Sequence, residues 1–384
     1  MPSVADLPTS AGSAIDVPLL SRLKKEAPLN AADSDAAQEL GEGITSASPS
    51  SSPSFSMSAP PRLSEALTTE LAAIRAGIYK IGTPWTGPTA DATHELYNAT
   101  FKRLASTFSA TKVVRDVRYG PAERNLLDVY LPPSSVSSGA VLVYMHGGGF
   151  FAGDKSWTEH AYSNIGSYFA SNGVVTVIAN YRLVPYVQYP GGGDDVGAVR
   201  AWVHQNIAKA EYGAADPSKV VLCGQSSGAA HIATNLYAAG DPSRSESPTP
   251  LPRGVVYLSA PFFFNTSIPR RAETLRAYFG TDVAEEVLPL SAAGLLKNMP
   301  EGHPTLNPLT FPTLLVVGQL DTKEITDANC LFFNTFRERS WPAGTLPTFR
   351  VINHHNHISN VLSIGTADDE QGRMLLDFIQ RVTA

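Results

Sequence analysis

The sequence predicts an α/β chain built on a mostly parallel central sheet with helices on both faces. Three observations predict it. From about residue 113 onward, β-type apolar runs alternate with stretches of helical periodicity, the order that repeated strand–helix–strand units produce. Several runs, such as residues 140–146 (AVLVYMH), are apolar throughout, as strands covered on both faces are. One run, residues 219–224 (KVVLCG), passes through Gln225 and Ser226 directly into a helical stretch, a strand–turn–helix joint.

Residues 1–62 are rich in Ser, Ala and Pro and end in GITSASPSSSPSFSMSAPPR. They offer too little apolar surface to offset the entropy of ordering them, so a disordered tail is expected. Residues 63–112 are expected to form an N-terminal helical cap region. Leu63, Leu67, Leu71, Ile74 and Ile78 fall on one helix face, IGTPWTGPT breaks the pattern, and Tyr97, Phe101, Leu104 and Phe108 mark a second face. Residues 113–384 form the main domain. Residues 113–119 and 126–132 read as a strand pair around Gly120-Pro121. A helix then ends at Gly173, residues 174–183 are a strand, and Val196, Val199, Val203 and Ile207 line the next helix. After the 219–224 strand come a helix at 229–238 and a strand at 254–264. Residues 265–310 are expected as an irregular cap insertion with short helical pieces. A strand at 313–321, a helix at 324–339, a strand at 347–353 and a final helix with Leu375, Phe378, Ile379 and Val382 inward complete the chain. No fixed-period repeat interrupts this order.

Composition narrows the function classes. The 384 residues are 43% hydrophobic and 17% charged, enough for a large core without staples. Two cysteines, Cys223 and Cys330, exclude a disulfide framework and a four-cysteine zinc site, though not a single bridge. The net charge of −6 advertises no basic face, so neither nucleic acid nor an anionic membrane is the expected partner. No apolar run reaches the ~18 residues of a membrane span. The first residues lack a basic start followed by an apolar stretch, which makes the cytoplasm the expected location.

The chemistry is carried by Gly224-Gln225-Ser226-Ser227-Gly228. A nucleophile on a sharp strand-to-helix turn sits in a strained backbone, so its neighbours must be small, and Gly224 and Gly228 meet that need. Ser226 is then held out near the positive end of the following helix. Ser227 fails as a nucleophile because Gln, not Gly, stands two residues before it. A hydroxyl needs a base, and the base needs an orienting carboxylate; in this architecture the acid follows the serine and the histidine follows the acid. Asp321 ends the 313–321 strand, where such sheets keep their sites, and capping the next helix is its alternative role. Three histidines then compete in Asn353-His354-His355-Asn356-His357. His357 sits furthest into the loop and precedes an apolar segment, so it is favoured over His355 and His354.

The histidine cluster could instead bind metal, but no further His or Cys pattern completes a site and HExxH is absent, so no metal is expected. An oxyanion needs donors: His146-Gly147-Gly148-Gly149-Phe150 follows a strand, and the amides of Gly148, Gly149 and Ser227 are the candidates. A phosphate loop is the competing reading, yet neither GxGxxG nor GxxxxGK[ST] occurs. A second run, Gly191-Gly192-Gly193-Asp194-Asp195, opens a helix, so Asp194 or Asp195 is expected as its cap, with support of the oxyanion loop as the alternative. Tyr278 and Phe279 are candidate acyl contacts, with core packing as the simpler role.

With HGGGF at 146–150, GQSSG at 224–228, Asp321 and His357, residues 113–384 resemble the α/β-hydrolase superfamily, in particular its hormone-sensitive-lipase-like and feruloyl-esterase-like carboxylesterases and the kynurenine-formamidase-like hydrolases. The segment YRLVPYVQYPGGGDDVGAVRAWV is similar to that family's stretch between oxyanion loop and nucleophile. The resemblance implies an α/β-hydrolase fold with a partly helical cap, and serine-dependent cleavage of a small or medium carboxylic ester through an acyl-enzyme, with no cofactor. It supports His357, because NHIS falls where the family shows its histidine. Two departures stand out: Gly149 replaces the aromatic residue usual in formamidases, and PGGG replaces the Pro-Ala-Ala of many relatives. Arylformamidase-type amide hydrolysis and acyl transfer or lactone closure use the same residues and remain alternatives. A non-catalytic binder is disfavoured because every catalytic role has a candidate.

Overall fold

The structure, a computed structural model, describes residues 64–158 and 161–384. The expected tail at 1–62, and Leu63 at the head of the first apolar stripe, lie outside the described residues.

Two helices come first, α1 (Glu65–Ile81) and α2 (Gly87–Ser109). Ser64 caps α1 through the Leu67 amide, and Thr86 and Thr89 form a reciprocal capping box at the start of α2. The strand pair β1 (Lys112–Arg118) and β2 (Leu126–Leu131) is antiparallel, with a bulge between Val114 and Val117. The chain continues through β3 (Val141–Met145), α3 (Ser163–Ser171), β4 (Val175–Ala179), α4 (Gly191–Asn206), β5 (Val220–Gln225), α5 (Ser227–Leu236) and β6 (Gly254–Leu258). Then come α6 (Ala272–Phe279), α7 (Ala284–Leu290), α8 (Ala292–Asn298), β7 (Thr313–Leu320), α9 (Lys323–Arg339), β8 (Thr348–Asn356), α10 (Ser359–Leu362) and α11 (Glu370–Thr383).

The eight strands form one sheet in the order β1-β2-β4-β3-β5-β6-β7-β8. Every pairing from β4 to β8 is parallel; β2 runs antiparallel to both β1 and β4. The period-2 alternation of strand side chains divides the core between the two faces. On β3, Val141, Val143 and Met145 join Val196, Val203, Ile232, Leu296, Phe332 and Phe336 from α4, α5, α8 and α9. Leu142 and Tyr144 point the other way, onto Ile165 and Phe169 of α3 and Leu375, Phe378 and Ile379 of α11. Fully burying one such side chain contributes roughly 1.5–3 kcal/mol, so the two layers hold the central strands, and with them the strand ends, in place.

Ile74, Ile78, Tyr97, Phe101 and Phe108 of α1 and α2 pack with Ala161, Ile358 and Leu362. The helical pair therefore sits against the segment that follows His357. Residues 265–310 hold three regular helices, and they are not all peripheral. Leu295 and Leu296 of α8 belong to the main core, because their neighbours include Phe332 of α9. Only α6 and α7 pack outward, through Leu275, Tyr278 and Val287 onto Phe150 and Phe264.

Candidate active site

The parallel strands deliver their C-terminal ends to one edge of the sheet, and β3, β5, β7 and β8 bring four functional segments there. At the end of β5 the backbone turns abruptly. Ser226 has φ 52° and ψ −124°, a conformation rare for a side-chain-bearing residue, and its amide donates to the Leu258 carbonyl at 2.8 Å. The turn leaves no room beside it. A Cβ at Gly228 would lie 2.3 Å from the Met145 carbonyl oxygen and 2.4 Å from that of His146. The missing side chain at 228 is thus what lets the serine turn press against the end of β3.

Ser226 Oγ lies 3.0 Å from His357 Nε2, and His357 Nδ1 lies 2.8 Å from Asp321 Oδ1. All three residues are buried. Asp321 follows β7 and accepts from the amides of Thr322 (3.1 Å) and Gly318 (3.3 Å), which fixes its carboxylate. Thr322, not Asp321, caps α9, through the Ile325 amide. Because the carboxylate only accepts, Nδ1 carries the imidazole proton and Nε2 is left to accept from the serine hydroxyl.

The other two histidines of the cluster go elsewhere. His355 is buried with Nδ1 3.1 Å from Ser359 Oγ and Nε2 3.6 Å from Asp368, whose carboxylate Arg75 grips through two nitrogens. Burial pushes the His355 pKa down to about 4. His354 faces Tyr79, whose hydroxyl is 3.1 Å from its Nδ1. With three different sets of partners, the histidines do not converge on one point.

The glycine segment after β3 adopts backbone angles that suit glycine. Gly148 has φ 141° and Gly149 φ 62°, and the Gly148 carbonyl accepts from the amides of Phe151 and Ala152. Among the described residues, no protein acceptor takes the Gly148 or Gly149 amide. Ser227 is the first residue of α5, where the amides lack a carbonyl one turn earlier. The loop is fastened from below: the Tyr181 hydroxyl donates to the His146 carbonyl (2.9 Å) and lies 3.0 Å from Ser227 Oγ. The Tyr181 ring stacks on His146 with centroids 4.4 Å apart. Phe150 stacks on Tyr278 at 4.3 Å and meets His231 edge-on at 5.2 Å. Burial lowers the pKa of His146 to about 4 and of His231 to about 3, so both are neutral rings in this packing.

One expectation needs correction. Neither Asp194 nor Asp195 caps α4. The cap position falls on Pro190, which offers no side-chain bond, because the three glycines themselves make up the first turn. Asp195 instead accepts from the Arg182 amide (2.8 Å), Arg182 Nε (3.0 Å) and Asn125 (3.2 Å), while Asp194 pairs with Arg244 at 2.9 Å. Asp195 thereby fixes the segment that carries Tyr181, and the next residues reach the glycine loop where the Val184 amide donates to the Phe150 carbonyl at 3.1 Å. The PGGG sequence lets α4 approach α5, since a Cβ at Gly192 would lie 2.1 Å from the His231 ring. Tyr278 is a packing residue: it is buried against Phe150, with its hydroxyl 3.3 Å from His231 Nδ1.

The sequence motifs assign no role to two further residues at the site. The Gln225 side chain donates to the His357 carbonyl at 3.0 Å, tying the serine turn to the histidine loop. Trp85, in the link between α1 and α2, meets the His357 ring edge-on with centroids 5.7 Å apart. The position of Gln225 inside GQSSG was the only available signal for the first; nothing local signals the second.

Comparison with known proteins finds similarity to several esterases. The BD-FAE family profile matches residues 127–243, the stretch that holds the glycine loop and the serine turn. A probable isoprenylcysteine alpha-carbonyl methylesterase of Oryza sativa is 34% identical over 126 residues, 33% of this chain and 28% of that protein. Carboxylesterase NlhH of Mycobacterium tuberculosis is 39% identical over 100 residues, 26% of this chain and 30% of the relative. The chain thus spans less than a third of the length of each of these curated relatives. Esterase B of Lactobacillus rhamnosis, in an inhibited form, superposes with a TM-score of 0.56 at 18% identity, covering 74% of this chain and 94% of that one. An esterase of the bacterial hormone-sensitive lipase family superposes with a TM-score of 0.55 at 19% identity, covering 82% and 99%. Among the described residues no helix is long and apolar enough to cross a membrane.

Proposed function

We propose that this chain, whose fold is that of the α/β-hydrolases, is a serine-dependent carboxylic ester hydrolase, with Ser226 as nucleophile, His357 as base and Asp321 as the orienting acid. The observation that carries the proposal is the unbroken hydrogen-bond chain from Ser226 Oγ through His357 to Asp321, at 3.0 and 2.8 Å. Ser226 Oγ attacks the ester carbonyl carbon while His357 Nε2 takes its proton. The carbonyl π bond becomes an oxyanion, which the amides of Gly148, Gly149 and Ser227 receive; each donor is worth roughly 2.7–4 kcal/mol at the transition state. His357 returns the proton to the alkoxy oxygen, the C–O bond breaks, and the alcohol departs. Water repeats the sequence on the acyl-enzyme and releases the acid. Asp321 stays ionised and holds the imidazole tautomer.

The substrate class is a small or medium ester, in keeping with relatives named as carboxylesterase and methylesterase. A cytoplasmic location is part of the proposal. Both cysteines are free, Cys223 buried and Cys330 exposed, which suits a reducing compartment.

The experiment is a panel of methyl and ethyl esters of short and medium acids, with N-formylkynurenine beside them, assayed on the full chain and on Ser226→Ala. Ester turnover in the wild type and none in the variant is the expected result. Ester turnover by Ser226→Ala at the wild-type rate contradicts the assignment, and turnover confined to the formamide moves the protein to the amide-cleaving reading.

A further inference from the structure

The α1–α2 link is five residues long, and both of its ends are pinned: the Gly82 amide donates to the Ile78 carbonyl at 2.9 Å, and Thr86 enters the α2 capping box. Trp85 stands one residue before that cap, so its backbone is fixed although the residue is 37% exposed. The indole touches two parts of the site. It lies edge-on to His357 with centroids 5.7 Å apart, and a Cβ placed on Gly149 would lie 3.2 Å from Trp85 Cη2.

Those two contacts specify a direction. In the tetrahedral intermediate the carbon holds four groups: Ser226 Oγ, the oxyanion, the alkoxy oxygen and the acyl substituent. The oxyanion must face the Gly148 and Gly149 amides, and the alkoxy oxygen must lie within hydrogen-bond reach of His357 Nε2 to receive its proton. Trp85 stands beside both the imidazole that protonates the alkoxy oxygen and the glycine turn that faces the oxyanion, which favours the alcohol side of the intermediate over the acyl side for its contact.

We infer that Trp85 is a specificity-determining residue that limits the leaving alcohol to small groups of the methyl and ethyl class and leaves the acyl side unrestricted. The inference rests on the serine-esterase reading and names its substrate class. It also accounts for Gly149: the space that an aromatic side chain would fill at that position is taken by Trp85, which arrives from another part of the chain.

The test compares methyl butyrate with cyclohexyl butyrate, and methyl butyrate with methyl octanoate, on the wild type, Trp85→Ala and Trp85→Phe. Cyclohexyl is branched at the carbon bound to the alkoxy oxygen, so it loads the alcohol side of the intermediate. The ratio of kcat/KM for cyclohexyl over methyl ester is expected to rise about tenfold or more in Trp85→Ala, the scale of steric discrimination by one pocket wall, and by less in Trp85→Phe. The acyl-length ratio is expected to stay at its wild-type value in both. A gain on the bulky ester cannot come from misfolding, and Trp85→Phe carries the test if the alanine variant is unstable. An unchanged cyclohexyl ratio in both variants overturns the inference, as does a change that follows the acyl chain instead. Failure of the esterase reading itself looks different: no ester is turned over in a Ser226-dependent way, and both proposals are withdrawn.

Discussion

At the scale of single residues, the site depends on which proton each group holds. Asp321 takes two backbone amides besides His357, so it has no spare role and no freedom to turn. Asp321→Asn keeps the shape but offers an amide that can donate to Nδ1, which reverses the tautomer and presents an N–H to Ser226. Ester turnover is expected to fall about 10⁴-fold with the melting midpoint unchanged, since this is the scale on which fixing the tautomer matters in such triads. Wild-type turnover in that variant would mean that another residue is the acid. His354→Ala is the matched control. That ring faces Tyr79 and reaches neither Ser226 nor Asp321, so activity on a methyl ester is expected to match the wild type; a loss on the scale of a missing base would return His354 to candidacy. The sequence left the choice among His354, His355 and His357 to loop position and resemblance. What separates them physically is the company each keeps: Tyr79, the Ser359–Asp368 pair and Asp321 all come from other segments or from a turn that local pattern does not specify.

At the scale of elements, glycines decide how closely the pieces approach. The β5–α5 turn was legible because its demands are local: an apolar strand, small neighbours and a helical stretch directly after it. The α4 start was misread because a cap depends on where the first helical residue falls, and here the chain becomes helical at Gly191, after a proline that cannot cap with its side chain. The glycines instead serve the α4–α5 contact, beneath which His231 and Phe150 support the glycine loop after β3. Gly192→Ala is therefore expected to lower the urea midpoint, with a loss of about 1–3 kcal/mol from overpacking against His231. Denaturation superimposable on the wild type would show that α4 shifts away without cost. Residues 265–310 show the limit of reading periodicity in short helices: α8 spans only Ala292–Asn298, too short to declare a face, yet Leu295 and Leu296 are core.

At the scale of the whole molecule, the parallel sheet was legible from alternation and continuous apolar runs, whereas Trp85 and Gln225 were not, because their contacts with His357 join distant parts of the chain. The same long-range packing buries three neutral histidines, His146, His231 and His355, whose pKa values burial pushes down to about 4, 3 and 4. In the unfolded chain these rings take protons near pH 6.5. Between that pH and about 4 the unfolded state binds more protons than the folded one, so stability is full above pH 6.5 and is lost as pH falls through this window. Melting midpoints are expected to be level from pH 7 to 8 and to drop steadily from pH 6.5 to 4.5; a level curve down to 4.5 would mean that these rings are protonated in the fold. The central claim is narrower, that one hydroxyl on the β5–α5 turn is the nucleophile. Its most direct test is the site of covalent capture: the full chain is treated with a fluorophosphonate, which loses fluoride to an attacking oxygen, and the adduct is mapped by peptide mass spectrometry. One adduct per chain, located on Ser226 and absent from Ser226→Ala, is the predicted result. An adduct on another residue, or one that persists in Ser226→Ala, would contradict the account.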